Sequence, residues 1–154
     1  MFVGLYGNTG AVSGKGLIVE LYGASMSTNA AIAQGSVVSG ARTAQQSGGG
    51  AAYLYSSLSP VILRINNGSV LADNVVFITG GGGYCSSGGG SVYTNALLGA
   101  TVDVNDSLFI NNGARVLGVN CTTTLHGAGA MYLLSRNENA NFRATDTYFM
   151  YNSF

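Results

Sequence analysis

Four glycine-rich clusters punctuate the chain, Gly14-Lys15-Gly16, Gly48-Gly49-Gly50, Gly88-Gly89-Gly90 and Gly127-Ala128-Gly129, at spacings of 34, 40 and 39 residues. Each opens an apolar segment. Self-similarity at a nearly fixed period of this length is the mark of stacked repeats, and it excludes folds whose elements are all different. The residues after the clusters are Leu17-Ile18-Val19, Ala51-Ala52-Tyr53, Ser91-Val92-Tyr93 and Ala130-Met131-Tyr132, which aligns Tyr53, Tyr93 and Tyr132 in one column with Val19. The units so delimited are residues 14–47, 48–87, 88–126 and 127–154, one continuous domain of repeats of roughly 32 to 40 residues.

A second column follows further along each unit. Aligned on their aromatic residue, the segments beginning at Val70, Val102 and Phe142 place Phe77, Phe109 and Phe149 in one ladder, with Asn74, Asp106 and Asp146 in another just ahead of it. Ala31 to Ser39 reads as a degenerate copy. Alternation within the segments has period two: Val70 and Ala72, Val102 and Val104, Phe142 and Ala144 face one way, while Asp73, Asp103 and Arg143 face the other. No eleven-residue window shows the i, i+3, i+4, i+7 spacing of a convincing helix. β-Branched and aromatic residues dominate the apolar runs instead.

Short strands with a repeating inward pattern cannot bury their apolar face alone, but they can bury it on the next copy at a rung spacing of about 4.8 Å. The sequence therefore predicts an all-β solenoid, a right-handed parallel β-helix. Its Gly clusters serve as tight corners, and its Asn and Asp residues bond turn amides.

Two short elements carry a family likeness. Phe109-Ile110-Asn111-Asn112 and Phe149-Met150-Tyr151-Asn152 match Phe-x-x-Asn, and Phe77-Ile78-Thr79-Gly80 departs at its last position. Gly49-Gly50-Ala51-Ala52, Gly89-Gly90-Ser91-Val92 and Ala128-Gly129-Ala130-Met131 are each one substitution from Gly-Gly-Ala followed by an aliphatic residue. In these elements residues 48 to 154 resemble the repeats of polymorphic outer-membrane proteins and related cell-surface β-helix proteins. The resemblance implies a surface location and a structural or adhesive role, with no catalytic residue to carry over.

Charge and composition narrow the function classes. Hydrophobic residues make up 47% of the chain, ample for a continuous core, but charged residues only 8%, against about 25% for an ordinary soluble domain. Solubility then rests on Ser, Thr, Asn and Gly. Lys15 and five arginines are scattered singly at net charge zero, so no basic stripe offers itself to nucleic acid. Apolar runs such as Val75 to Ile78 fall far short of the roughly 20 residues that span a bilayer, and the opening Met1-Phe2-Val3-Gly4 has neither the basic nor the sustained apolar region of a signal peptide.

Cys85 and Cys121 form an even pair without a neighbouring metal-ligand pattern, placed in loops that stacking brings together. Their expected state is a disulfide. Acceptor triplets for N-glycosylation stand at Asn67-Gly68-Ser69, Asn105-Asp106-Ser107 and Asn120-Cys121-Thr122. Both features point to an extracellular or cell-surface setting.

A sugar-cleaving β-helix would need clustered carboxylates with a basic partner. Asp73 and Asp103 read as exposed with no basic residue in register, and Asp106 and Asp146 as turn caps. His126, the sole histidine, reads as a solvated loop residue. Tyr55, Tyr84 and Tyr151 are outward candidates for stacking on glycans. The expectation is a non-enzymatic module of a coat, fibre, filament or adhesive stalk, with no metal or cofactor, set against an alternative of carbohydrate binding or cleavage. Both ends fall inside a repeat, and no polar cap is visible. The sequence is thus expected to be a segment of something longer, or to stack on neighbouring segments or further copies of itself.

Overall fold

The computed structural model describes residues 3–7, 16–34, 45–47, 49–56, 59–79, 85–117, 126–135 and 137–154, and among these every regular element is a strand. The first pass of the chain holds β1 (Val3–Gly7), β2 (Leu17–Tyr22), β3 (Ser25–Ser27), β4 (Ala30–Gln34) and β5 (Gln45–Ser47). The second holds β6 (Ala52–Ser56), β7 (Val61–Asn66), β8 (Ser69–Ala72), β9 (Val75–Thr79) and β10 (Cys85–Gly89). β11 (Val92–Ala96), β12 (Ala100–Ile110), β13 (Gly113–Leu117) and β14 (His126–Ala128) make the third, and β15 (Met131–Ser135) and β16 (Ala140–Met150) belong to the fourth.

Each strand pairs in parallel with its counterpart on the next pass, as Ala52 with Val92 and Val92 with Met131. The first sheet is β1-β6-β11-β15; the second contains β2, β3, β7, β8, β12 and β16; the third is β4-β9-β13; the fourth is β5-β10-β14. The described chain is therefore all-β; its first three passes visit four parallel sheets in the same order, and the fourth pass places strands in the first two of them.

Alternation decides what is buried. In β6 and β7 every second residue is buried, which sends Leu54, Val61, Leu63 and Ile65 into one core with Leu71, Val102, Val104 and Phe109. In β12 the inward residues are Val102 and Val104 and then Ser107 and Phe109, a change of phase in mid-strand. Asp106, at φ 46°, makes that change, because one left-handed residue turns the strand without breaking its ladder. Asp146 does the same at φ 47°, and Gly68 occupies the position beside Asp106, to whose carbonyl its N–H donates at 2.7 Å. The second pass carries one extra residue here, Asn67, also left-handed at φ 62°. Accordingly the register between β12 and the second pass slips by one between Val104 opposite Ile65 and Ser107 opposite Ser69.

That slip corrects the aromatic alignment. Phe109 stacks on Phe149, with centroids 4.7 Å apart, but the residue beneath Phe109 is Leu71, and Met26 lies beneath that. Phe77 belongs to the third sheet, between Ile32 and Arg115, on the face opposite the buried Val76. A core position requires apolar volume rather than an identical ring, so matching Phe with Phe drew the alignment six residues out of register. Val19 likewise pairs with Leu63 in the second sheet and not with the tyrosines. The residue in register with Tyr53 on the first pass is Gly4. Gly16 adjoins Pro60, one sheet beyond the corner that Gly50 occupies. Tyr53, Tyr93 and Tyr132 do form a stacked column, with centroids 5.1 and 5.5 Å apart; both faces of β11 are buried there.

Asn74 also moves. It is in register not with Asp106 and Asp146 but with Asn29, Asn112 and Asn152, at the corner between the second and third sheets. The residue before each of these four, Thr28, Asp73, Asn111 or Tyr151, is left-handed at φ 54°. The side-chain amides then repeat one pattern. Asn112 Oδ1 accepts from the backbone N–H and the Nδ2 of Asn74, at 3.1 and 3.0 Å, while Asn112 Nδ2 donates to Leu71 O and to Asn152 Oδ1, both at 2.9 Å. Asn29 donates to Asn74 in the same way, and Asn152 Nδ2 donates to Phe109 O. Asn74 and Asn112 are fully buried, and this ladder supplies the partners that buried polar groups need.

Candidate functional site

Two features concentrate what this surface can do: an outward line of charges on the second sheet, and an apolar face that the first and second sheets share at the C-terminal pass. Parallel in-register pairing puts like positions side by side, so one outward position of the strand generates a column: Glu20 beside Arg64, Arg64 beside Asp103, Asp103 beside Arg143. The signs alternate along all four passes. Arg64 Nη1 donates to Glu20 Oε1 at 2.6 Å, with the two side chains 42% and 55% exposed. Asp103 therefore has arginines in register on both sides, which corrects its reading as a carboxylate without a basic partner. An exposed pair of this kind is screened by water and salt. Glu20→Gln should lower stability by less than about 1 kcal/mol. Urea unfolding at low and high salt checks this, and the small loss should shrink further at high salt.

Three further carboxylates stand at left-handed turn positions. Asp73 accepts from Asn111 Nδ2 at 2.6 Å, and Asp106 and Asp146 are exposed at their left-handed positions. Among the described residues, no three of His, Cys, Asp and Glu gather to hold a metal ion.

The glycosylation triplets acquire a structural account. Ser69 Oγ donates to Asn66 O at 2.6 Å, Ser107 Oγ to Asn105 O at 2.8 Å, and Thr147 Oγ1 to Thr145 O at 2.8 Å. A left-handed residue followed by a hydroxyl is thus the local signature of the bend. Thr145-Asp146-Thr147, which is no acceptor triplet, builds the same bend as Asn105-Asp106-Ser107. Asn67 and Asn105 are both exposed, whereas Asn120 lies outside the described residues.

Cys121 and Tyr84 also lie outside them, and the expected Cys85–Cys121 bridge with them. The backbone of Cys85 pairs with Gln45 in the fourth sheet, where His126 pairs with Ser86. Tyr55 is half-buried, in register with Asn95, and Tyr151 is exposed beside Asn152.

On the last pass the inward positions lose their cover. Ala130, Met131, Leu133, Phe142 and Phe149 line an open apolar cavity of about 330 Å³. Their counterparts one pass earlier, Val92, Val102 and Phe109, are fully buried, yet Phe142 is 51% and Phe149 42% exposed. Among the described residues β16 pairs with β12 on one side only, and no described strand pairs with its other edge. Compared with family models, curated proteins and solved structures, the chain matches none.

Proposed function

We propose that this chain is a segment of a right-handed parallel β-helix that acts as a non-catalytic structural module at the cell surface or outside the cell, in a coat, fibre or adhesive stalk. The observation that carries the reading is the use made of the polar side chains. The corner asparagines bond from pass to pass, the bend hydroxyls bond backbone carbonyls, and the outward charges stand opposite one another along the stack. Chemistry spent on joining like to like suits a rod whose task is to keep its shape. Four parallel sheets visited in constant order support the β-helix, since each pass covers the apolar face of the one before.

Two measurements test the proposal. Incubation with uronic-acid polymers should release no oligosaccharide; depolymerisation would establish the sugar-cleaving alternative. Thiol titration of denatured chain prepared without reductant should find Cys85 and Cys121 unreactive, and reactive again after reduction. Two free thiols in chain isolated from its natural setting would remove the support for an oxidising compartment.

A further inference from the structure

We infer that the C-terminal face of one copy docks on the N-terminal face of a second copy, head to tail and in register, with Arg143 meeting the next copy's Glu20. The inference rests on the structural reading above and names the partner that such a module would take.

The two faces are opposite edges of the same sheets. β1 and β15 bound the first sheet, and in the second β2 and β3 lie at one end and β16 at the other. Extending the observed register by one step sets Val3 of the next copy on Met131, Val19 on Phe142 and Met26 on Phe149. Each of these continues a column already present: Ala52, Val92, Met131; Leu63, Val102, Phe142; Leu71, Phe109, Phe149. Tyr132 would meet Gly4, as Tyr53 does within the chain.

Charge selects the orientation and the occupant. The column runs Glu20, Arg64, Asp103, Arg143, so it begins acidic and ends basic, and only its own acidic end continues the alternation. Opposite charges directly across paired strands attract and like charges repel, which makes this column a register mark. Because the two faces differ, the contact is heterologous and repeats without closing, so the product is an open filament.

The test uses the 154-residue chain and its charge-reversed variants in sedimentation velocity and electron microscopy. Native chain should form rods that lengthen with concentration and shorten as salt rises. Arg143→Glu alone and Glu20→Arg alone should each need about tenfold more protein to assemble. Mixed in equal amounts, the two should form rods again at about the native concentration, with copies of the two variants alternating, since each variant's C-terminal face then fits the other's N-terminal face. Filaments of Arg143→Glu at the native concentration, or native chain that stops at a dimer, would overturn the inference. So would native chain that stays monomeric at every soluble concentration, which would assign the open faces to flanking polypeptide. Hydrogen exchange keeps the two readings apart. A monomer whose Asn74 and Asn112 amides are protected sinks docking and leaves the module standing, whereas unprotected ladder amides in native chain sink the module itself.

Discussion

Replacing Asn112 with alanine should cost about 4 kcal/mol of folding stability, a large loss for a single polar side chain. Four hydrogen bonds of the side chain disappear, two accepted from Asn74 and two donated to Leu71 O and Asn152 Oδ1. The effect is large because of what remains behind. Asn74, fully buried, keeps a backbone N–H and an amide proton aimed at an empty space, and the Leu71 carbonyl loses its partner there. Stranded buried groups cost about 1 to 3 kcal/mol each, more than a typical bond contributes while intact. Asn152→Ala removes a similar set, but at a half-exposed site where water takes over, so its cost should be about 1 to 2 kcal/mol. Urea unfolding of the two variants checks the contrast, and equal small losses would show that the ladder is not a main source of stability.

Gly90→Ala should be comparably damaging, at about 3 kcal/mol or more, for a reason of space and not of conformation. A Cβ on Gly90 would lie 2.0 Å from Gly129 O and 2.5 Å from Gly113 N. Both are backbone atoms of paired segments, so no rotamer change relieves the clash; two passes must separate, and the ladders on either side of the corner separate with them. Gly68 gives the opposite case. Nothing lies within 4 Å of its Cβ position, but its φ is +72°, so Gly68→Ala should cost about 1 to 2 kcal/mol and Gly68→Asn distinctly less, because Asn adopts the left-handed region readily. Thermal or urea unfolding of the three variants should rank them Gly90→Ala, Gly68→Ala, Gly68→Asn from most to least damaging. If Gly90→Ala proves milder than Gly68→Ala, conformational freedom rather than close approach explains the corner glycines.

The period-two pattern of Val102 and Val104 was visible in the sequence, but the change of phase at Asp106 that turns Phe109 inward was not, since it depends on one residue turning left-handed. The Phe-x-x-Asn element was visible too. Its asparagine, not its aromatic, proves to be the residue in strict register: Asn29 follows Met26, Asn74 follows Leu71, Asn112 follows Phe109 and Asn152 follows Phe149, each three residues on. An amide that must accept from one neighbour and donate to the next admits no substitute of different shape, while the apolar partner above it can be Met, Leu or Phe. Alignment by the most conspicuous side chain therefore failed at Phe77, where alignment by the least replaceable one would have succeeded.

By itself the sequence determined the class of the fold. Spacing of the Gly clusters, alternation of apolar residues and the absence of helical periodicity leave strands stacked on like strands, and the column Tyr53, Tyr93, Tyr132 follows from the clusters directly. Register was decided only by the tertiary structure. A single inserted residue, Asn67, moves the partners that follow it in the second and third sheets by one, and short-range pattern cannot say whether it is absorbed in the bend or passed on. Pairing resolves the question, because only one register lets the asparagines bond in line, buries Leu71 beneath Phe109 and sets Glu20, Arg64, Asp103 and Arg143 in alternation. Those are long-range contacts between residues some forty positions apart, and they exist only once the passes are stacked.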